Sequence, residues 1–394
     1  MNREPVASSA PSGRSIRLDR NELAGAFGDI GTDIPLITGM ILVAGLNPAS
    51  VLTVFGLMQV FSGLIYRIPM AVQPLKAVAV LVIAQRLPAT VIFGGGLAIG
   101  LAMLLLAVTG VLGRLAAWIP KCVVRGIQFG LGITLCQLAL GKYVLADGIP
   151  GYVLAGVSAA LALWLIGNRR YPPALIILLL GVVYAFVFKF DALNLAGGVG
   201  LALPQPHVPL PSDVLQGFLL LALPQIPLSL GNSILATEQM ARDLFPERHI
   251  GVRRIGLTYS LMNLVAPFLG GIPVCHGSGG MAGHYAFGAR TGGSVVLYGA
   301  FLVALGLFFS PGFAGIIQAF PLPVLGVILC FEGLTLMQLI RDTVQEEGGL
   351  AVALLVGVLA ACLPYGFLIG IVAGTLVAHL SKRYRVGFSG RMPG

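Results

Sequence analysis

Apolar runs bounded by charges or by Gly/Pro fall at 22–45, 49–66, 73–86, 91–117, 120–141, 150–167, 172–190, 214–241, 252–271, 276–289, 292–310, 321–340, 349–363 and 365–381. A helix of about 20 apolar residues crosses the ~30 Å hydrocarbon core of a bilayer. The pattern therefore predicts an all-α membrane protein with fourteen transmembrane segments. Segments three (73–86) and ten (276–289) are too short to cross alone.

The basic residues orient these segments. With both termini cytosolic, twenty of the 24 Lys and Arg lie at inside ends or in tails, only Arg86, Lys142 and Lys189 fall outside, and Lys76 is left within the membrane. That is the bias the positive-inside rule demands. Removing one span from the middle would invert everything after it, which supports the count. The net charge of +9 follows the same distribution, so it reports topology and not a nucleic-acid partner.

Composition closes the soluble alternatives. The chain is 57% hydrophobic and 10% charged, against about 25% charged in an ordinary soluble domain. Its 54 Gly and 25 Pro suit close helix packing and helices broken at membrane depth. Residues 1–20 are polar, lack the apolar core of a cleavable signal, and read as a disordered cytosolic tail. The five cysteines are scattered without a C-x-x-C pair, which predicts packing residues, with no disulfide framework, metal site or cofactor.

The chain also repeats itself. Gly31-Thr32-Asp33-Ile34 is echoed by Gly231-Asn232-Ser233-Ile234, Ile68-Pro69 by Ile272-Pro273, and the Pro120 break by Pro321 and Pro323. The offset stays at 200–204 residues. Seven segments per repeat is odd, so the halves face opposite ways, as in transporters built from inverted repeats. The resulting plan is a first repeat at 21–190, an external linker at 191–213, a second repeat at 214–381 and a cytosolic tail at 382–394.

Segment three defines the centre. Residues 68–72 follow cytosolic Arg67 and, extended at ~3.3 Å per residue, cover about 16 Å, half the hydrocarbon core. A helix from Gln73 to Arg86 completes the crossing with Pro74 in its first turn. Segment ten mirrors it: 272–275 descend from outside and a helix at 277–289 emerges beside Arg290. Two half-helix N-termini thus meet at the midplane, each with unpaired N–H groups and roughly half a positive charge, which makes an anion site.

The candidate binding residues are Gln73, Pro74, Leu75 and Lys76 with His276, Gly277, Ser278, Gly279 and Gly280, joined by Thr32, Gln225, Asn232 and Ser233. The glycines would admit a ligand close to the backbone, or pack helices tightly; Ser278 would cap or donate, and His276 would donate to an anion or cap a helix. A cation at mid-bilayer, Lys76, reads as functional, the alternative being a structural salt bridge to Asp29 or Asp33. Asp29, Thr32 and Asp33 share one helix face, at i, i+3 and i+4. Asp29, Asp33 and Glu238 are candidate proton-coupling groups, because ionised carboxylates repel an anion. Glu238 also has an ordinary i, i+4 partner in Arg242.

At these motifs the sequence resembles the molybdate-transporter family, a branch of the sulfate-permease superfamily without the cytosolic STAS domain. The resemblance rests on Phe27-Gly28-Asp29-Ile30-Gly31-Thr32-Asp33-Ile34-Pro35, Pro69 to Lys76, Gln225 to Ser233, Pro273 to Gly280 and Gly288 to Gly293. It implies the seven-plus-seven fold of uracil permeases and sulfate transporters, in which a core (segments 1–4 and 8–11) carries the site and moves against a gate (5–7 and 12–14). It also implies import of molybdate or a similar tetrahedral oxyanion such as sulfate, an inner (plasma) membrane location, and homodimerisation through the gate. Sulfate transporters often place a basic residue at the start of segment ten; this chain has His276-Gly277-Ser278 there. Lys76 would then polarise the site toward segment three.

Two other functions compete. A nucleobase symporter on the same fold would use a carboxylate such as Glu238 to read base N–H groups. An intramembrane serine hydrolase at Ser278 would need a base near its hydroxyl, and only His276 and His284 are close in sequence. With no Walker A string, the chain itself does not use ATP.

Overall fold

The computed structural model describes residues 16–165, 173–189, 198–312, 320–346 and 348–384. The expected tails at 1–15 and 385–394, and part of the linker at 191–197, lie outside the described residues. Helices occur in each of the fourteen apolar runs. In chain order these are α1 (Arg20–Ala26), α2 (Ile30–Ala44), α3 (Pro48–Tyr66), α4 (Lys76–Gln85), α5 (Ala89–Thr109), α6 (Val111–Trp118), α7 (Lys121–Tyr143), α8 (Gly148–Trp164) and α9 (Pro173–Tyr184). The second half contributes α10 (Pro211–Leu244), α11 (Val252–Val265), α12 (Ser278–Ala286), α13 (Gly293–Phe308), α14 (Leu322–Gln338), α15 (Gly349–Cys362) and α16 (Gly366–Tyr384). Five helices, α3, α5, α7, α10 and the stretch Leu322–Thr343, are long and apolar enough to cross a membrane by length and composition.

Local chemistry sets several boundaries. Asp19 caps α1 by accepting from the Asn21 and Glu22 amides at 3.0 and 3.1 Å. Ordered structure therefore begins before the expected tail ends at residue 20. Segment one, expected as a single helix, breaks at residues 27–29. The break lets Gly28 lie on the backbone of α12, where a Cβ would come within 2.6 Å of the His284 amide nitrogen. The shared helical face of Asp29, Thr32 and Asp33 is consequently only partial: Asp29 is the cap of α2, and Thr32 and Asp33 donate their amides to its carbonyl at 3.0 and 3.1 Å.

The helices pack in two sets. In one, α3 lies along α13 and α11 along α5, with α10 also on α5. Exchanging the repeats turns the first of these contacts into the second. In the other set, α7 packs on α14, α15 and α16, and α14 reaches α8 and α9. The α3–α13 seam is close because it is built on glycine: a Cβ on Gly56 would lie 2.6 Å from the Gly299 carbonyl oxygen. At another seam a buried carboxylate ties the repeats together. Glu22, 1% exposed, accepts from the amides of Arg290, Thr291 and Ser294 at 2.8–2.9 Å and so caps α13.

Two short strands, β1 (Val72–Pro74) and β2 (Val274–His276), form an antiparallel bridge. Their register pairs Val72 with His276, Gln73 with Cys275 and Pro74 with Val274. Residues 202 apart exchange places, so the repeat axis passes through the Gln73–Cys275 pair. The half-helices therefore start later than expected, at Lys76 and Ser278, and end sooner, at Gln85 and Ala286. Pro74 lies in the strand and not in a first helical turn.

Each strand is also held from behind by a side-chain amide. Gln59 donates Nε2–H to the Val72 carbonyl at 2.7 Å and accepts the Val72 amide at 3.0 Å. Asn263 does the same for Val274, at 2.7 and 2.9 Å. The two clamps are repeat mates. Two more matched bonds close the bridge, Leu75 N–H to Pro273 O at 3.1 Å and Gly277 N–H to Ala71 O at 3.2 Å.

On the far side of the bundle, the linker is pinned by Gly200 and Ala202 amides on the Phe308 and Leu307 carbonyls and by the Gln205 amide on Ser50 Oγ. The scattered cysteines are not all apart: Cys136 and Cys330, on α7 and α14, approach to 3.9 Å as free thiols.

Gln59→Leu or Asn263→Leu strands a buried N–H and C=O, a cost of about 1–3 kcal/mol each. Each variant is expected to lower the melting temperature of the purified protein measurably, whereas Gln239→Leu at an exposed position is expected to leave it within error.

Candidate functional site

The bridge gives the site its shape. Because β1 and β2 are antiparallel, α4 and α12 leave it in opposite directions, each helix starting within two residues of its strand. Among the candidate residues, Asp29, Asp33, Gln73, Pro74, Leu75, Gln225, Ser233, His276, Gly277 and Gly280 are buried. Thr32, Lys76, Asn232 and Ser278 are partly exposed, and Gly279 is exposed. The residues flanking Lys76, Leu75 and Ala77 through Ile83, are all buried. Lys76 is thus the one residue of Leu75–Ile83 that keeps exposure.

Gln73 and Asp29 form the buried half of the site. Gln73 donates Nε2–H to both Asp29 carboxylate oxygens at 2.7 and 2.8 Å. Two glycines make room for this pair. A Cβ on Gly277 would overlap the Gln73 carboxamide, and one on Gly280 would overlap the Asp29 carboxylate and sit 2.7 Å from Ala71 Cβ. The Cβ space of these two glycines is taken by protein side chains, the tight-packing alternative of the two readings. Gly279 alone faces open space, with no heavy atom within 4 Å of an added Cβ. Gly277, not Ser278, is the N-cap of α12.

Gln225 reaches across from α10 to cap the other half-helix. Its Oε1 accepts from the Ala77 and Val78 amides at 3.1 and 3.3 Å, and its Nε2 donates to Ser229 Oγ at 3.0 Å, which meets the Tyr259 hydroxyl at 2.8 Å. The first turn of α4 is thus satisfied by protein in this conformation. Ser233 bonds the Cys275 thiol, which also lies within electrostatic range of Lys76, Asp33 and Asp29. The cation and both carboxylates thus cluster at the bridge. Asp33 is fully buried, and so is Tyr298 nearby. His284 is equally buried and its ring lies 6.3 Å from that of Tyr298.

His276 takes neither of its expected roles. Its Nε2 pairs with Thr258 Oγ1 at 2.8 Å, Thr258 Oγ1 with the Tyr66 hydroxyl at 2.5 Å, and the Tyr66 ring stands edge-on to the imidazole at 5.2 Å. The ring is directed into the α3–α11 packing. Glu238 makes the ordinary ion pair with Arg242 one turn on. At the other end of α12, Arg290 donates to the Tyr285 and Ala289 carbonyls at 2.7 Å and stacks 3.7 Å from the Tyr285 ring, a cation at a helix C-terminus. Sequence reasoning missed Gln59, Asn263, Tyr298 and Glu22. The 204-residue spacing of Gln59 and Asn263, within the repeat offset, was the signal available for two of them.

Gly277→Ala and Gly280→Ala are expected to destabilise the protein strongly, because each Cβ displaces a member of the Gln73–Asp29 pair. Gly279→Ala is expected to fold with an unchanged melting temperature. Equal stability across the three variants would overturn this assignment.

The comparisons of sequence with known proteins agree on one family. A family model described as "Molybdate transporter of MFS superfamily" matches residues 21–135 and 217–336, together more than half the chain. The chain is 32% identical to Molybdate transporter 1 of Arabidopsis thaliana, covering 90% of this chain and 87% of that protein. It is 31% identical to Molybdate transporter 2 of the same plant, covering 85% and 82%. Molybdate transporter 1 of Chlamydomonas reinhardtii matches at 28% over 92% of each chain. The fold is similar to the transmembrane domain of the cyanobacterial bicarbonate transporter BicA, with a TM-score of 0.64 and 17% identity over 91% of this chain and 98% of that one. It is also similar to SLC26A9, at 0.70 and 14% over 93% and 66%. With these relatives along nearly its whole length, the chain belongs to the molybdate transporter family.

Proposed function

We propose that this protein is a secondary transporter that imports molybdate, or a tetrahedral oxyanion of similar size and charge such as sulfate, by alternating access. The observation that carries the reading is the pair of half-helices anchored to one bridge, whose first turns keep exposure at Lys76 and at Ser278-Gly279. A helix N-terminus carries a partial positive charge, and on α4, where Gln225 takes the Ala77 and Val78 amides, Lys76 adds a full one. Family membership supplies the identity of the guest.

Charge counting favours a proton as co-substrate. With Asp29 and Asp33 ionised against Lys76, the fixed side-chain charge near the bridge is −1, which repels a dianion. One proton on either carboxylate brings it to zero. A proton on Asp29 would also loosen its hold on the Gln73 carboxamide and free Nε2–H for the oxyanion. Alternating access would then move the set holding the bridge (α1–α6 and α10–α13) as a core against a gate of α7–α9 and α14–α16. We place the protein in the plasma membrane with both termini cytosolic, as its basic residues suggest, and homodimerised through the gate.

Neither competing function gains support. The nucleobase reading relied on Glu238, whose carboxylate is engaged by Arg242. The hydrolase reading falls with the family, since molybdate transporters are not enzymes.

Uptake of radiolabelled molybdate into proteoliposomes tests the site. Lys76→Ala and Gln73→Ala are expected to reduce uptake at least about tenfold, the loss of one charged or buried hydrogen-bonded contact. Unchanged uptake in both would remove the site from this position. An inward proton gradient is expected to accelerate uptake by the wild type and not by Asp29→Asn. A wild type indifferent to the gradient would refute proton coupling.

A further inference from the structure

A second concave site lies away from the bridge, where the end of α3 meets the turn between α10 and α11. It is a cavity of about 550 Å³, within the 300–1,000 Å³ range of small-ligand pockets. Its walls carry Arg67, Arg248, Arg254 and His249 against a single carboxylate, Glu247, and its floor is Tyr66. Three guanidinium groups against one carboxylate leave a net charge of +2 before His249 is counted.

The basic groups are held in place. Arg254 donates Nη2–H to the Ile65 carbonyl at 2.9 Å, and its guanidinium carbon lies 5.1 Å from the centre of the Tyr66 ring. One of its five N–H groups is thereby used, and the stack fixes the plane of the rest. Arg67 is the C-cap of α3 in a left-handed conformation, φ 57°, which aims the chain back over the helix end. Arg248 is half-buried in the turn. Guanidinium groups are planar forks of N–H donors, and several of them lining one cavity suit a phosphate, which accepts paired N–H···O bonds.

The rim supplies a second observation. Leu64 and Ile65 also line the cavity, and they are 51% and 38% exposed. An apolar, outward-facing strip running into a basic cavity fits a phosphate with acyl chains attached. The arginines belong to the face on which basic residues accumulate, where anionic lipid head groups attract them.

We propose that this cavity binds a phosphate group, carried either by the head group of an anionic phospholipid or by a free phosphate ion. The site is distinct from the first turns of the half-helices, and its test does not depend on the transported substrate.

The purified full chain in neutral detergent would be titrated separately with phosphatidylglycerol, phosphatidylcholine and inorganic phosphate. Thermal unfolding and native mass spectrometry would report binding. Phosphatidylglycerol is expected to raise the wild-type melting temperature and to remain bound, with phosphatidylcholine doing neither. Arg248→Gln and Arg254→Gln are each expected to weaken that binding about tenfold, and the double variant about a hundredfold. Arg114→Gln, a basic residue outside the cavity, is expected to change nothing. Should inorganic phosphate bind with the same dependence on Arg248 and Arg254, the source is the soluble ion. The proposal is overturned if neither phosphate source binds, or if both variants, folded as judged by their melting temperatures without additive, bind like the wild type.

Discussion

In a hydrocarbon slab an unpaired peptide group costs several kcal/mol, and this fold breaks two helices there. Everything at its centre follows from how that backbone is satisfied. The β1–β2 bridge pairs the two extended stretches with each other, and the Gln59 and Asn263 amides take up the peptide groups of Val72 and Val274. Because partners sit 200–204 residues apart, neither repeat can complete its broken helix without the other. The bridge therefore joins the halves as well as satisfying them.

The same solution creates the electrostatics. Antiparallel strands must send their half-helices away in opposite directions, so two helix N-termini are anchored to one small motif. The protein treats the two ends differently. On α4 the Gln225 carboxamide covers the Ala77 and Val78 amides, and Lys76 supplies charge. On α12 the cap is a glycine, and Gly279 is left open. The inverted repeat thus matches at the bridge and its amide clamps and is asymmetric in the side chains around the two helix starts.

Burial separates supporting groups from accessible ones. Gln73, Asp29, Gly277 and Gly280 form an interlocked unit in which each glycine is small because a polar side chain occupies its Cβ volume. His276 is drawn into the Tyr66–Thr258 chain and stiffens the α3–α11 contact. Lys76, Thr32, Asn232 and Ser278 retain exposure within the same neighbourhood. The motif strings of the sequence thus mix buried residues that hold the shape with residues that keep some exposure.

The fourteen helical runs, the two short segments among them and the inverted repeat were legible in the sequence by itself. They depend on local hydropathy, on charges at segment ends and on a fixed offset, all of which are written along the chain. The single-helix reading of segment one failed because the break is set by Gly28 lying on α12, a contact more than 250 residues distant. The roles of Gly277, Gly280 and His276 were undetermined for the same reason. A glycine motif looks alike whether a ligand or a neighbouring side chain fills the space, and a histidine beside a half-helix looks alike whichever way its ring turns. Those choices belong to the tertiary structure, because only packing between the two repeats decides which atoms share a volume and which are left facing open space.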